Sequence, residues 1–330
     1  MIVDLPNTTT SKVSRRITSL REQGGVIALG RVLTLVVVTK SGLEEEAIEA
    51  ANLASREHPC RIIVLVDAGA DAPTLLDAQI RVGGDAGASE VIVLRGHGEL
   101  AAESESLVAA LLLPDAPIVA WWPHGAPDNA CQTSIGRIAH RRITDSANEA
   151  DPQRALDNIR RTYKAGDTDL AWTRLTNWRI QLAAVLDQAD GSPITAVTVE
   201  GACDSPSTIL LAAWLHRALD APVTIVADPA GNGIRGVRLS RTSGDIQLFR
   251  PGLTVAELTQ PGQPAQRISL PRRSLQTCLA EELRRLDPDE VFGETVRGLG
   301  TSTEHEESPV MVTGSAEPGR NRDRLSLISV

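Results

Sequence analysis

Residues Arg31–Thr39 read RVLTLVVVT. The run is β-branched and almost continuously apolar, which suits a strand buried on both faces, as in a parallel sheet. The pattern outward from it is regular. Glu44–His58 carries Ala47, Ile48, Ala51, Leu53 and Ala54 at helical spacing, and Arg61–Val66 is a second buried strand. Leu75–Val82 fits a strand or a helix, and Gly83–Gly87 is a turn. Glu90–Leu94 then reads as a strand, Ser104–Leu113 as a helix and Ile118–Trp122 as another buried strand. Ahead of the run, Thr8–Ser11 offers N-caps for a short helix striped by Val13, Ile17 and Leu20 and stopped at Gly24-Gly25. Strands alternating with helices in this rhythm predict an α/β domain with a largely parallel sheet.

Ser146–Pro152 is a polar junction, so the sequence predicts an N-terminal α/β domain over residues 1–150 and a second α/β domain over 151–298. Asp151–Tyr163 and Asp169–Gln188 read as bridging helices. The rhythm restarts with strand Thr195–Val199, helix Pro206–Leu219 and strand Val223–Val226. Gly236–Arg241 and Asp245–Phe249 form a hairpin around Ser243-Gly244, and Gln266–Leu270 is a further candidate strand. The second sheet is therefore expected to be mixed. Ser274–Leu286 is a helix, and Pro288-Asp289 opens a last short one. Residues 299–330 are rich in Gly, Ser, Pro, Glu and Arg and read as a disordered tail.

Composition narrows the function. The chain has 330 residues, 42% hydrophobic and 23% charged, with only 5 Trp, 1 Tyr and 2 Phe, so its cores must be aliphatic. Net charge is −9; residues 1–150 carry −6 and residues 151–330 carry −3, which argues against nucleic-acid binding. No apolar run approaches the ~20 residues of a membrane span. The start of the chain lacks the apolar stretch of a signal peptide, so a cytoplasmic protein is expected. Cys60, Cys131, Cys203 and Cys278 stand 71, 72 and 75 residues apart, the pattern of four reduced thiols.

The catalytic inventory is negative. GxSxG, HExxH and P-loop motifs are absent, and none of the six His stands four residues from another, so no metal site and no catalytic residue are expected. Gly231–Gly236 spells GxGxxG, but Val237–Arg241 alternates like a strand where a dinucleotide fingerprint needs a helix. It reads as a turn, and no cofactor is expected. Asp204-Ser205-Pro206-Ser207 opens a helix with a good N-cap and a Pro at its first position. A cap is the commoner role of Ser205 and Ser207; an anion on the free N–H groups is the alternative.

Residues 163–179, YKAGDTDLAWTRLTNWR, are the densest stretch. Asp167 or Thr168 reads as a helix cap and Asp169 as a first-turn acid. Trp172, Leu175, Trp178, Leu182 and Val185 share one helical face, which makes Trp172 and Trp178 structural, in a seam between domains. Arg174 and Arg179 stand off that stripe. Trp and Arg anchor protein interfaces, so Arg174 and Arg179, with Asp167 and Asp169, are candidate partner contacts. Trp121-Trp122 closes a strand, one ring on each face; a crevice or interface position and a packed core are the alternatives for them.

With these segments quoted, the chain resembles the glucose-6-phosphate dehydrogenase assembly protein family, OpcA. The resemblance rests on DLPNTT (4–9), GRVLT (30–34), IRVGGDAG (80–87), AWWP (120–123), RRITD (141–145), GDTDLAWTRLT (166–176) and Glu200-Gly201 leading to Asp204–Ser207. It implies a non-catalytic partner of glucose-6-phosphate dehydrogenase, needed for full activity at the first step of the oxidative pentose phosphate pathway. Such a protein assists oligomer assembly or acts as an allosteric activator. The family offers no catalytic residues. Redox regulation through cysteines, described for some relatives, finds no matching pair in the spacing here. The rival expectation is a sugar-phosphate-binding protein or enzyme that uses the helix start at Ser205–Ser207.

Overall fold

The computed structural model describes residues 1–24, 32–82, 90–188, 191–228, 233–300 and 311–312. In chain order the elements are β1 (Ile2–Leu5), α1 (Thr10–Gly24), β2 (Leu33–Lys40), α2 (Glu44–Ala54), β3 (Cys60–Asp67), β4 (Leu75–Arg81), β5 (Glu90–His97), α3 (Glu105–Val108), β6 (Ile118–Trp121), α4 (Ser134–Ile138) and β7 (Arg141–Thr144). They continue with α5 (Pro152–Thr162), β8 (Asp167–Asp169), α6 (Leu170–Thr173), α7 (Thr176–Asp187), β9 (Ile194–Gly201), α8 (Pro206–Leu219) and β10 (Val223–Ala227). Last come β11 (Ile234–Arg241), β12 (Ile246–Phe249), β13 (Val255–Thr259), β14 (Gln266–Ser269), α9 (Leu275–Arg284), α10 (Glu290–Arg297) and β15 (Met311–Val312). Two units result. The first holds Met1–Glu149, Lys164–Leu170 and Ser274–Pro288; the second holds Ala150–Tyr163, Ala171–Arg273 and Asp289–Val330.

The first unit is built on an eight-stranded sheet ordered β1-β4-β5-β3-β2-β6-β7-β8. The run from β5 to β8 is parallel throughout, and β1 and β4 add antiparallel pairings at one edge. The order reverses direction between β2 and β6, as in a doubly wound sheet. The LTLVVVT run is buried on both sides for that reason. Leu33, Leu35 and Val37 pack with Ala47, Ile48 and Ala51 of α2 and Leu279 and Leu283 of α9. Val36 faces the other way, into the layer that holds Val13, Ile17 and Leu20 of α1. The ambiguous segment Leu75–Val82 is the strand β4, its side chains alternating between buried and half-buried. The helix expected over Ser104–Leu113 is one turn, α3, with Ser104 accepting from the Ser106 N–H, followed by a 3-10 turn at Ala109–Leu111.

The second unit has a sheet ordered β14-β13-β12-β11-β9-β10, with the two-residue β15 set antiparallel on the β10 edge. Only β9 and β10 pair in parallel, so the sheet is mixed, as the hairpin pattern predicts. Val197, Val199, Val237, Leu239, Ile246, Leu248 and Leu258 turn inward against α7, α8 and α10. Thr198, Glu200, Arg238, Gln247 and Glu257 alternate with them on the open face. The helix expected over Asp169–Gln188 is divided into α6 and α7 by Arg174-Leu175. Of the expected tail over residues 299–330, only 299–300 and 311–312 are described, and the rest lies outside the described residues. The turn expected at Gly83–Gly87 lies outside them too.

Gly166 has a backbone requirement of its own. Its φ is +93°, and a Cβ there would stand 2.6 Å from the His140 carbonyl oxygen. Gly166→Ala is therefore expected to destabilise the fold by about 2–3 kcal/mol. Urea unfolding checks this: the midpoint falls with an unchanged slope, whereas a wild-type midpoint would show that this turn tolerates a side chain.

Candidate partner-binding site

The GDTDLAWTR block is divided between the two units, and each part is locked by its own surroundings. In the first unit, Asp167–Asp169 is not a helix start. It is β8, paired in parallel with Arg142–Thr144 of β7. A D-T-D triplet before a helical stripe reads as a cap because its strand partner lies about 25 residues away, beyond any local signal. Asp167 pairs with Arg142, whose guanidinium also donates to the Ala139 and Ala165 carbonyls at 2.9 and 2.7 Å. Burial pushes the Asp167 carboxyl above its ordinary value, while Arg142 and the Lys164 N–H pull it down. Asp169 has no exposed surface; it accepts from Thr144 Oγ1 at 2.7 Å and from the Ser146 N–H and hydroxyl at 2.9 and 2.8 Å.

In the second unit, Trp172 and Trp178 are core residues with 1% and 3% exposure. Trp172 Nε1 donates to Asp289 Oδ2 at 2.8 Å, and the same carboxylate caps α10 by accepting from the Phe292 N–H at 2.8 Å. The ring lies 5.7 Å from Phe292, which meets Tyr163 edge-on at 5.9 Å. Arg179, expected off the apolar stripe, is only 9% exposed, with its guanidinium 4.0 Å above the Trp172 ring. Arg250 lies over Trp178 at 5.2 Å and donates to the Leu270 and Ile234 carbonyls at 3.0 Å each. Arg174 is half-buried in the turn between α6 and α7.

Trp121 and Trp122 do point to opposite faces of the first sheet, but both are interior. Trp122 Nε1 donates to Glu103 Oε2 at 3.1 Å. Around the same switch point, the turn after β2 is Lys40-Ser41-Gly42-Leu43-Glu44. In a dinucleotide-binding sheet the N-terminus of the following helix holds a pyrophosphate. Here Glu44 Oε2 itself accepts the Gly42 N–H at 2.6 Å, and Glu44 pairs with Arg95 at 3.2 Å. At the other candidate site, Ser205 precedes α8 without a side-chain capping bond, and Ser207 Oγ donates to the Ala171 carbonyl at 2.9 Å. Of the GxGxxG motif, residues 231–232 lie outside the described residues, and β11 begins at Ile234 where a dinucleotide fingerprint would place a helix. Among the described residues, no group of three or more His, Cys, Asp or Glu side chains could hold a metal ion.

Two family models match the chain, both of the glucose-6-phosphate dehydrogenase subunit. Its N-terminal domain matches residues 51–161, and its C-terminal domain matches residues 165–296. The chain belongs to the OpcA family of glucose-6-phosphate dehydrogenase assembly and subunit proteins. No curated protein matches it. Among solved structures it is similar to KijD10, a 3-ketoreductase from Actinomadura kijaniata in complex with TDP-benzene and NADP, at 11% identity and a TM-score of 0.44, over 81% of this chain and 95% of that one. An oxidoreductase from Pseudomonas syringae matches at 9% identity and 0.43, over 82% and 95%. Levoglucosan dehydrogenase, in complex with NADH and L-sorbose, matches at 10% and 0.39, over 82% and 90%. Neither the reactions nor the cofactors of these proteins carry over to this chain.

Trp172→Ala removes the ring under Arg179 and the donor to Asp289, so it should cost about 3–5 kcal/mol. That is a large part of a typical domain's stability. The melting temperature of the variant checks this. A variant of wild-type stability would take Trp172 out of the core framework and make it a contact residue.

Proposed function

We propose that the chain is a non-catalytic protein that binds glucose-6-phosphate dehydrogenase and raises its activity at the first step of the oxidative pentose phosphate pathway, in the cytoplasm. The observation that carries this reading is the succession of both family domains along one chain. The turn after β2 supports the non-catalytic part, since a carboxylate, Glu44, takes the Gly42 N–H just ahead of α2. An activator must bind the active form of its target more tightly than the inactive form; equal binding, however tight, shifts nothing. Trp121, Trp122, Asp167, Asp169 and Arg179 are engaged within their own units. Arg174, which stands off the apolar stripe in the turn between two helices and keeps part of its surface exposed, is the member of the candidate set we assign to the dehydrogenase.

Steady-state kinetics of the purified dehydrogenase, titrated with this protein, test the reading. The dehydrogenase rate should rise and saturate, and the protein alone should turn over no glucose 6-phosphate. Arg174→Ala should leave the melting temperature unchanged and raise the half-maximal activating concentration about thirtyfold, the loss of one anchoring arginine. Unchanged activation would remove Arg174 from the interface. Turnover by the protein alone, abolished by a single substitution, would overturn the non-catalytic assignment.

A further inference from the structure

Two motifs that are distant in sequence meet at the carboxyl end of β9. One is Asp204–Ser207 with the start of α8, and the other is Gly233, just ahead of β11. Ala202 N–H donates to the Gly233 carbonyl at 3.1 Å, which brings the two together. Gly201, the last residue of β9, has no room for a side chain: a Cβ would stand 2.7 Å from the Gly233 oxygen and 3.0 Å from Thr208 Oγ1. Gly233 has φ of +83°, and a Cβ on it would lie 4.0 Å from Ser205 Oγ.

The donors around these glycines are incompletely engaged. The first position of α8 is Pro206, which has no N–H, and the Ile209 N–H is taken by the Ser205 carbonyl at 3.1 Å. Among the described residues the first-turn N–H groups of Ser207 and Thr208 have no acceptor outside the helix, and the Ser205 hydroxyl caps neither. Thr208 is also 0% exposed, and among the described residues its Oγ1 has no hydrogen-bond partner. Buried hydroxyls are normally satisfied, so an orphan of this kind calls for a missing partner. Thr208 is the third helical residue, and a side chain there leans back toward the helix start. The nearby side chains offer an anion no counter-ion: Arg235 faces Asp228 at 3.1 Å and Glu200 at 3.8 Å, and Asp204 is exposed, three carboxylates to one guanidinium. An anion here would be held by dipoles and hydroxyls rather than by a salt bridge.

We propose that Gly201, Ser205, Thr208, Gly233 and the free N–H groups opening α8 form a site for a tetrahedral oxyanion, a phosphate group. Inorganic phosphate and a phosphate monoester share this chemistry. The site is independent of the dehydrogenase-binding reading, and its test uses the full chain alone.

Binding is followed by thermal shift and calorimetry with sodium phosphate, glucose 6-phosphate, glucose, and sodium chloride at matched ionic strength. Phosphate and glucose 6-phosphate should raise the melting temperature with saturation, and glucose and chloride should not. Tighter binding of glucose 6-phosphate would identify the monoester as the ligand; equal binding would identify free phosphate. Thr208→Val keeps the side-chain shape and removes the hydroxyl. It and Ser205→Ala should each weaken phosphate binding about fivefold, the worth of one hydrogen bond. Ser207→Ala, whose hydroxyl is engaged with Ala171, should leave the affinity unchanged. Equal shifts with phosphate and chloride, or full phosphate affinity in a folded Thr208→Val protein, would overturn the proposal.

Discussion

A carboxylate with no exposed surface holds the end of the first sheet in place. Burying a carboxylate is costly unless its oxygens are satisfied. Those of Asp169 are satisfied threefold, by Thr144 Oγ1, Ser146 Oγ and the Ser146 N–H, at 2.7–2.9 Å. These bonds close β8 onto β7 and fix the direction in which the backbone leaves β8. The next residues, Leu170 and Ala171, belong to different cores: Leu170 packs in the first unit and Ala171 in the second. The GDTDLAWTRLT stretch therefore contributes side chains to the cores of both units.

Arginine performs much of the remaining internal work. Lys occurs only three times in the chain, so nearly every cation is a planar, multiply donating fork. Arg141 pairs with Glu282 of α9 and donates to the Asp287 carbonyl at 2.8 Å, which ties a late helix to an early strand of the same unit. Arg142 pairs with Asp167, while Arg179 and Arg250 cover the two tryptophans. In a chain with 8 aromatic residues, gathering Tyr163, Trp172 and Phe292 around one contact and sealing it with Arg179 concentrates packing where the second unit's helices converge. Such guanidinium groups are part of the framework and are not available as surface contacts.

What the sequence disclosed and what it hid follow from range. β2, β3, β5 and β6 announce themselves because strands buried on both faces are apolar throughout, and the alternation in β11 and β12 betrays a sheet with one wet face. The opposite facing of Trp121 and Trp122 also follows from the two-residue period alone. By contrast β7 reads RRIT and β8 reads DTD, and both are buried strands whose charged side chains, Arg141, Arg142, Asp167 and Asp169, are matched by partners elsewhere in the chain. No local pattern distinguishes such a triplet from a helix cap. The same limit applies to Arg179: helical spacing places it off the apolar stripe, but the length of its side chain lets it fold back over Trp172. At the start of α8, the Ser-Pro signature was legible, whereas the orphan hydroxyl of Thr208 becomes visible only with the burial around it.

Physical association with the dehydrogenase is the claim on which the functional reading stands. Sedimentation velocity of purified glucose-6-phosphate dehydrogenase, alone and with an excess of this protein, measures it directly. The expected result is a new boundary whose mass exceeds that of the dehydrogenase by whole copies of the 35.2 kDa chain, or the conversion of smaller dehydrogenase oligomers into a larger one. Two boundaries that sediment independently at every ratio, with the oligomeric state of the dehydrogenase unchanged, would contradict it.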